Sequence, residues 1–137
     1  RILPFLAFFL VLTVACKSTQ KAQQVLDPYM TFEQKFVDLG TVKVGETPGY
    51  VYKFTNTGKE DITIELVSGC ECTDLEWPEG KTFKPGEGGE IKITFRSDKE
   101  EDRGILKKTI DILLFNEDPK TGYQIIKEIK YQLNLVD

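Results

Sequence analysis

Tyr50-Val51-Tyr52-Lys53-Phe54-Thr55-Asn56-Thr57-Gly58 is the stretch on which the reading of the fold turns. Tyr50, Tyr52 and Phe54 recur at every second residue, so an extended chain places them on one face and Lys53 and Thr55 on the other. Asn56, Thr57, Gly58 and Lys59 then supply turn chemistry, because Asn and Gly accept the backbone angles and local hydrogen bonds that reverse a chain. The segment predicts a half-buried strand ending in a turn.

The same period of two continues on both sides. Ile62, Ile64 and Leu66 alternate with Thr63 and Glu65, and Ile91, Ile93 and Phe95 alternate with Lys92, Thr94 and Arg96. In the last segment Ile125, Ile129, Tyr131, Leu133 and Leu135 share a face, with Lys127 as its one charged member. Pro85-Gly86 gives the order that a type II turn prefers, since its third position needs a positive φ. Asn116 to Gly122 is a polar connection of hairpin type between strands expected at 105–115 and 123–136. Adding strands at 31–39 and around 81–83 brings the count to about seven, and no stretch holds a helical period long enough for a helix. An all-β immunoglobulin-like sandwich is expected over residues 30–137.

The first residues differ in kind. Ile2 to Ala15 is apolar and uncharged, too short for a membrane span and the right length for a signal-peptide core. The chain opens on Arg1, so residues 1–15 are read as a signal peptide truncated at its charged end. Leu12-Thr13-Val14-Ala15-Cys16 resembles the bacterial lipobox, with Thr13 where an aliphatic residue is usual. That resemblance implies acylation of Cys16 and attachment to a lipid bilayer; the alternative is an ordinary secretory signal cut near Ala15, leaving Cys16 a free thiol. Residues 16–29 are expected to form a polar, lipidated tether, and the domain to lie in the cell envelope, facing the periplasm or on the outer membrane.

Composition narrows the function. Histidine is absent, which removes the commonest general base near neutral pH and the commonest metal ligand, and no catalytic residue is assigned. The formal charge is −4, from 18 basic and 22 acidic residues without a basic cluster, so nucleic acid is not an expected partner. No nucleophile elbow or phosphate-binding loop occurs, and no cofactor is expected.

Cys70 and Cys72 remain as an even pair. In an oxidising compartment the first reading is structural, a disulfide or two buried thiols. Two thiolates at this spacing also suit Cu(I), whereas zinc would need added carboxylates such as Glu71 or Asp74, or a second chain. Thiol–disulfide exchange is a further alternative, lacking the helix N-terminus that usually sets its poise. Trp77 is read as a packing residue, and Asp98 to Arg103 as a solvated loop rather than a calcium site.

Three segments taken in order carry a family resemblance: Tyr52 to Gly58, Val67-Ser68-Gly69-Cys70-Glu71-Cys72-Thr73 with Trp77-Pro78 after it, and Lys84-Pro85-Gly86-Glu87 running to Phe95. Together they resemble a bacterial family of unknown function with an Asn-x-Gly turn, a Cys-Gly-Cys-Thr loop and a Pro-Gly-Glu turn, related to the Hydin and major-sperm-protein type of immunoglobulin-like domain. The resemblance implies a secreted or lipid-anchored domain of largely unassigned role, with related folds acting as interaction modules. The leading expectation is a non-catalytic interaction or structural module with an unknown envelope protein as partner; the alternative is a copper-binding or thiol-redox protein acting through Cys70 and Cys72. Glu71 stands where that family has glycine, so a loop demanding positive φ there would be strained by about 1–3 kcal/mol.

Overall fold

The computed structural model describes residues 25–97 and 103–137. The signal peptide, Cys16, the start of the tether and Asp98 to Asp102 of the charged loop lie outside the described residues. Among the described residues nine strands form two sheets. The first sheet orders β1 (Met30–Phe32), β3 (Gly49–Asn56), β7 (Gly88–Phe95) and β5 (Thr73–Glu76) as β1-β3-β7-β5. The second orders β2 (Phe36–Lys43), β9 (Gln124–Val136), β8 (Gly104–Glu117), β4 (Ile62–Ser68) and β6 (Thr82–Phe83) as β2-β9-β8-β4-β6. All ladders are antiparallel except that of β2 on β9. The all-β sandwich stands, with two more strands than the seven expected.

Both additions have a physical cause. The single strand expected over 31–39 is two strands in different sheets, joined by Glu33, Gln34 and Lys35. Phe32 and Val37 are both buried, yet five residues apart they would face opposite sides of one continuous strand; changing sheets between them lets both reach the core. The other addition, β5, is an edge strand whose Thr-Asp-Leu-Glu sequence offers one apolar residue and hence no readable alternation.

The alternating residues meet between the sheets. Tyr52, Phe54, Ile91, Ile93 and Phe95 from the first sheet face Ile62, Ile64, Ile110, Ile112, Ile129, Tyr131 and Leu133 from the second, all 2% exposed or less. Each such side chain contributes roughly 1.5–3 kcal/mol by leaving water. Both buried tyrosines find partners for their polar ends: Tyr52 donates to the Lys130 carbonyl at 2.8 Å, and the Tyr131 hydroxyl meets that of Thr73. Burial, followed by the neighbouring Tyr131 and Tyr50, holds the Tyr52 phenol well above the ordinary tyrosine pKa.

Two turns form as their residues dictate. The Glu87 N–H bonds the Lys84 carbonyl at 2.9 Å across Pro85 and Gly86, with Gly86 at φ 86°, as a type II turn requires. At the end of β3, Asn56 is 1% exposed; its amide donates to the carbonyls of Glu60 and Phe83 at 2.8 and 2.9 Å, and its oxygen accepts the Gly58 N–H at 3.0 Å. One side chain thus closes its own turn and ties it to β6.

Lys127, the charged exception on the inward face of β9, is explained by Asp27. Its ammonium lies 2.6 Å from the Asp27 carboxylate, both side chains being no more than 20% exposed, and 5.7 Å from the centre of the Tyr29 ring. The other carboxylate oxygen of Asp27 accepts the N–H groups of Tyr29 and Met30, so the packed body already includes Asp27. Burial pushes the Asp27 pKa up, but the Lys127 hydrogen bond, the two backbone donors and the lysine charge outweigh it and hold the carboxyl below the usual value of 3.8. Stability from this depressed pKa is present above pH ~4 and is lost as pH falls through the folded-state value. Lys127→Met is therefore expected to cost about 1–2 kcal/mol at pH 7 in urea unfolding, with a gap that closes on acidification below pH ~4. A gap constant from pH 7 to 3 would show that Asp27 does not depend on the lysine.

Candidate functional site at the Cys70 to Thr73 loop

β4 ends at Ser68 and the chain must cross to β5 in the other sheet, so Gly69 to Cys72 form the connection. Cys70 and Cys72 are joined as a disulfide with their Cα atoms 5.2 Å apart. The Thr73 N–H bonds the Cys70 carbonyl at 3.0 Å, closing a turn with Glu71 and Cys72 at its centre. No residue other than glycine has a positive φ among the described residues, so Glu71 takes its place without the strain that a left-handed backbone would have imposed.

Three further residues fix the loop to the sandwich. Thr73 is 7% exposed; its hydroxyl lies 3.3 Å from the Cys70 sulfur and 3.7 Å from that of Cys72, and bonds the Tyr131 hydroxyl from the opposite sheet. From the end of β7, the Arg96 N–H donates to the Cys72 carbonyl at 2.8 Å. The Arg96 guanidinium reaches the Glu71 carbonyl at 3.4 Å and pairs with Asp74 at 2.7 Å. Cys70 and Glu71 stand exposed at the tip, whereas Cys72 packs against the core.

This arrangement presents a braced, exposed tip rather than a reaction chamber. Of the two carboxylates considered as added zinc ligands, Asp74 is engaged by Arg96. Among the described residues no three Cys, Asp or Glu side chains are grouped to hold a metal. Trp77 packs against the core just beyond β5, and its N–H lacks a hydrogen-bond partner among the described residues. It borders an open cavity of about 420 Å³ on the outer side of the first sheet, between Glu76, Glu90, Lys81 and Lys92.

Sequence reading found the cysteines and missed Thr73, Arg96 and Tyr131 as their supports. One signal was available: a tyrosine at a core position of β9 needs a partner for its hydroxyl, and a threonine inside the cysteine motif is a suitable one.

A family model described as "Protein of unknown function (DUF1573)" matches residues 30–128. Among curated proteins, none matches the sequence. Solved structures similar to this chain include the ASH/PapD-like domain 7 of human CEP192, at TM-score 0.60 and 13% identity over 84% of this chain and 92% of that one. A protein of unknown function from Porphyromonas gingivalis W83 aligns at TM-score 0.62 and 20% identity, over 83% of this chain and 51% of that one. The Vibrio cholerae VesB protease aligns at TM-score 0.57 and 11% identity, over 77% of this chain and 31% of that one. This chain thus spans about half and about a third of the last two. At such identities the likeness is one of fold.

Proposed function

The chain belongs to that family of unknown function, and we propose that it is a lipid-anchored envelope protein whose sandwich is a non-catalytic interaction module, offering the Cys70 to Thr73 loop to another envelope protein. The observation carrying this reading is the loop's combination of exposure and bracing. Cys70 and Glu71 face solvent, while the disulfide, the Thr73–Tyr131 hydrogen bond and Arg96 hold the backbone beneath them. A tip ordered before it meets a partner loses little conformational entropy on binding. The PapD-like neighbour agrees with a module of this kind, and the lipobox resemblance at Cys16 supplies the anchor. The family's cysteine loop and its kinship to Hydin and major-sperm-protein domains belong to this same reading.

The exposure of Cys70 favours the alternative, a copper or thiol-redox role, over other chemistries. Native and denaturing mass spectra of the full chain with Cys16→Ser, exported to an oxidising periplasm and purified without chelator, separate the two. A mass lacking two hydrogens at Cys70 and Cys72, with no copper taken up, is expected. Two thiols that bind one copper ion, lost on Cys70→Ser, would replace the interaction reading. For the anchor, the unaltered chain should partition into detergent and the Cys16→Ser chain into the aqueous phase; equal partitioning would remove the lipid.

A further inference from the structure

The two outer faces of the sandwich differ in kind. On the first sheet β7 turns Glu90, Lys92 and Thr94 outward, and β3 turns out Val51, Lys53 and Thr55, a face polar but for Val51, as a solvated face should be. On the second sheet Phe36, Leu66, Ile105, Phe115 and Ile126 point outward and are 47–62% exposed. Leu66, Leu113 and Ile126 stand in one cross-strand row over β4, β8 and β9. Large apolar side chains gathered on one face mark a contact surface.

The order of residues along β8, the central strand of this sheet, says what that surface fits. From Ile105 to Leu113 its outward side chains run Ile105, Lys107, Thr109, Asp111, Leu113, which is apolar, cationic, hydroxyl, anionic, apolar, with Phe115 beyond them. Reversed end to end, the series is its own complement. A two-fold axis lying across the strands at Thr109 sets each strand over its counterpart and running the other way. It brings Lys107 over the second copy's Asp111, Ile105 over its Leu113 and Thr109 over Thr109. Neither Lys107 nor Asp111 has an ion-pair partner among the described residues. Phe36 shares the Thr109 row through Lys130, so its ring lies near the axis, and Lys130 is neutralised by Glu128 at 2.9 Å.

We propose that the outer face of the second sheet is where two copies of this chain pair, face to face and antiparallel, on a two-fold axis through Thr109. Four strands about 4.8 Å apart and eight residue steps of about 3.3 Å give each copy roughly 500 Å² in projection. The relief of the side chains raises this toward the roughly 800 Å² per partner of a standard interface. Toward an anionic bilayer the face offers no net positive charge, since Asp111 and Glu128 stand beside Lys107 and Lys130. The pairing is separate from the proposed loop function, and either can fail alone.

The test is sedimentation equilibrium of the full chain with Cys16→Ser in non-ionic detergent. The parent is expected to dimerise. Asp111→Lys, which sets like charges against Lys107, should weaken the dimer by about tenfold or more, as should Lys107→Asp. The double swap Lys107→Asp with Asp111→Lys should return to within about threefold of the parent, because the same pair forms with its signs exchanged. Thr109→Cys should form a disulfide-linked dimer on oxidation, and Thr94→Cys on the other face should not. A parent that stays monomeric, a double swap as weak as either single variant, or equal crosslinking at both positions overturns the proposal. So does a monomer that binds phosphatidylglycerol vesicles through this face.

Discussion

Asn56→Asp, which keeps the shape of the native side chain, is expected to destabilise the domain by about 4 kcal/mol at neutral pH. The native amide gives both of its N–H groups to the carbonyls of Glu60 and Phe83, in a position only 1% exposed. A carboxylate has no hydrogen to give, so the change loses two hydrogen bonds and sets a negative charge against two carbonyl oxygens. Only the contact with the Gly58 N–H survives. Burial and the two carbonyls raise this carboxyl above the unfolded value of about 3.9. A group raised in the folded state is best tolerated below its unfolded pKa, so the deficit relative to the native protein should shrink as pH falls through the raised folded-state value and be smallest below pH ~4, where the carboxylic acid can donate one hydrogen bond. Asn56→Ala removes the donors to the Glu60 and Phe83 carbonyls at every pH and should cost about 3 kcal/mol with no acid recovery. Urea unfolding of both variants from pH 7 to pH 3.5 makes the comparison. A loss for Asn56→Asp that is independent of pH would mean that water reaches the site and that the amide is not the tie described.

How much of this was legible follows from what each residue has to satisfy. The long strands could be read because their inward residues repeat every second position and all fall on one side of the core, as from Ile129 to Leu135. Breaks in the alternation were harder. Residues 31–39 read as one strand, since nothing local marks a change of sheet; the cause is the opposite parity of Phe32 and Val37, visible only once both are known to be buried. The cysteine pair stood out through its chemistry, yet its supports are far apart in sequence: Tyr131 reaches Thr73 from the other sheet. Asn56 was read as a turn residue, which is correct for its oxygen. Its two donor hydrogens make the longer connection, and no turn rule asks where they go. The outward series on β8 was present in the sequence from the start, and its meaning depends on knowing that β8 lies in the middle of its sheet.

Two glycines of one motif separate the same two kinds of information. Gly86 has φ 86° and open space where a Cβ would stand, so its constraint is the backbone angle alone. Asparagine tolerates that angle, and Gly86→Asn is expected to cost less than about 1 kcal/mol. Gly89 has no such φ, and its constraint is space. It lies directly opposite Phe54 in the β3–β7 ladder, and a Cβ there would stand 2.6 Å from the Phe54 ring and 2.7 Å from the Phe83 ring. Carbon atoms rest about 3.5–4.0 Å apart. The two rings pack edge to face at 5.0 Å, both nearly excluded from solvent, and the Phe83 backbone is pinned by Asn56, so neither ring can withdraw freely. Gly89→Ala should therefore cost about 2–3 kcal/mol in denaturant unfolding, the penalty of overpacking a closed core. Phe54→Leu, which removes ring atoms at the clash, should cost less in the Gly89→Ala background than in the native one, because the added methyl then fills part of the space that the ring vacates. If the two changes instead add without interaction, the rings give way at no cost and Gly89 is held by something other than their packing.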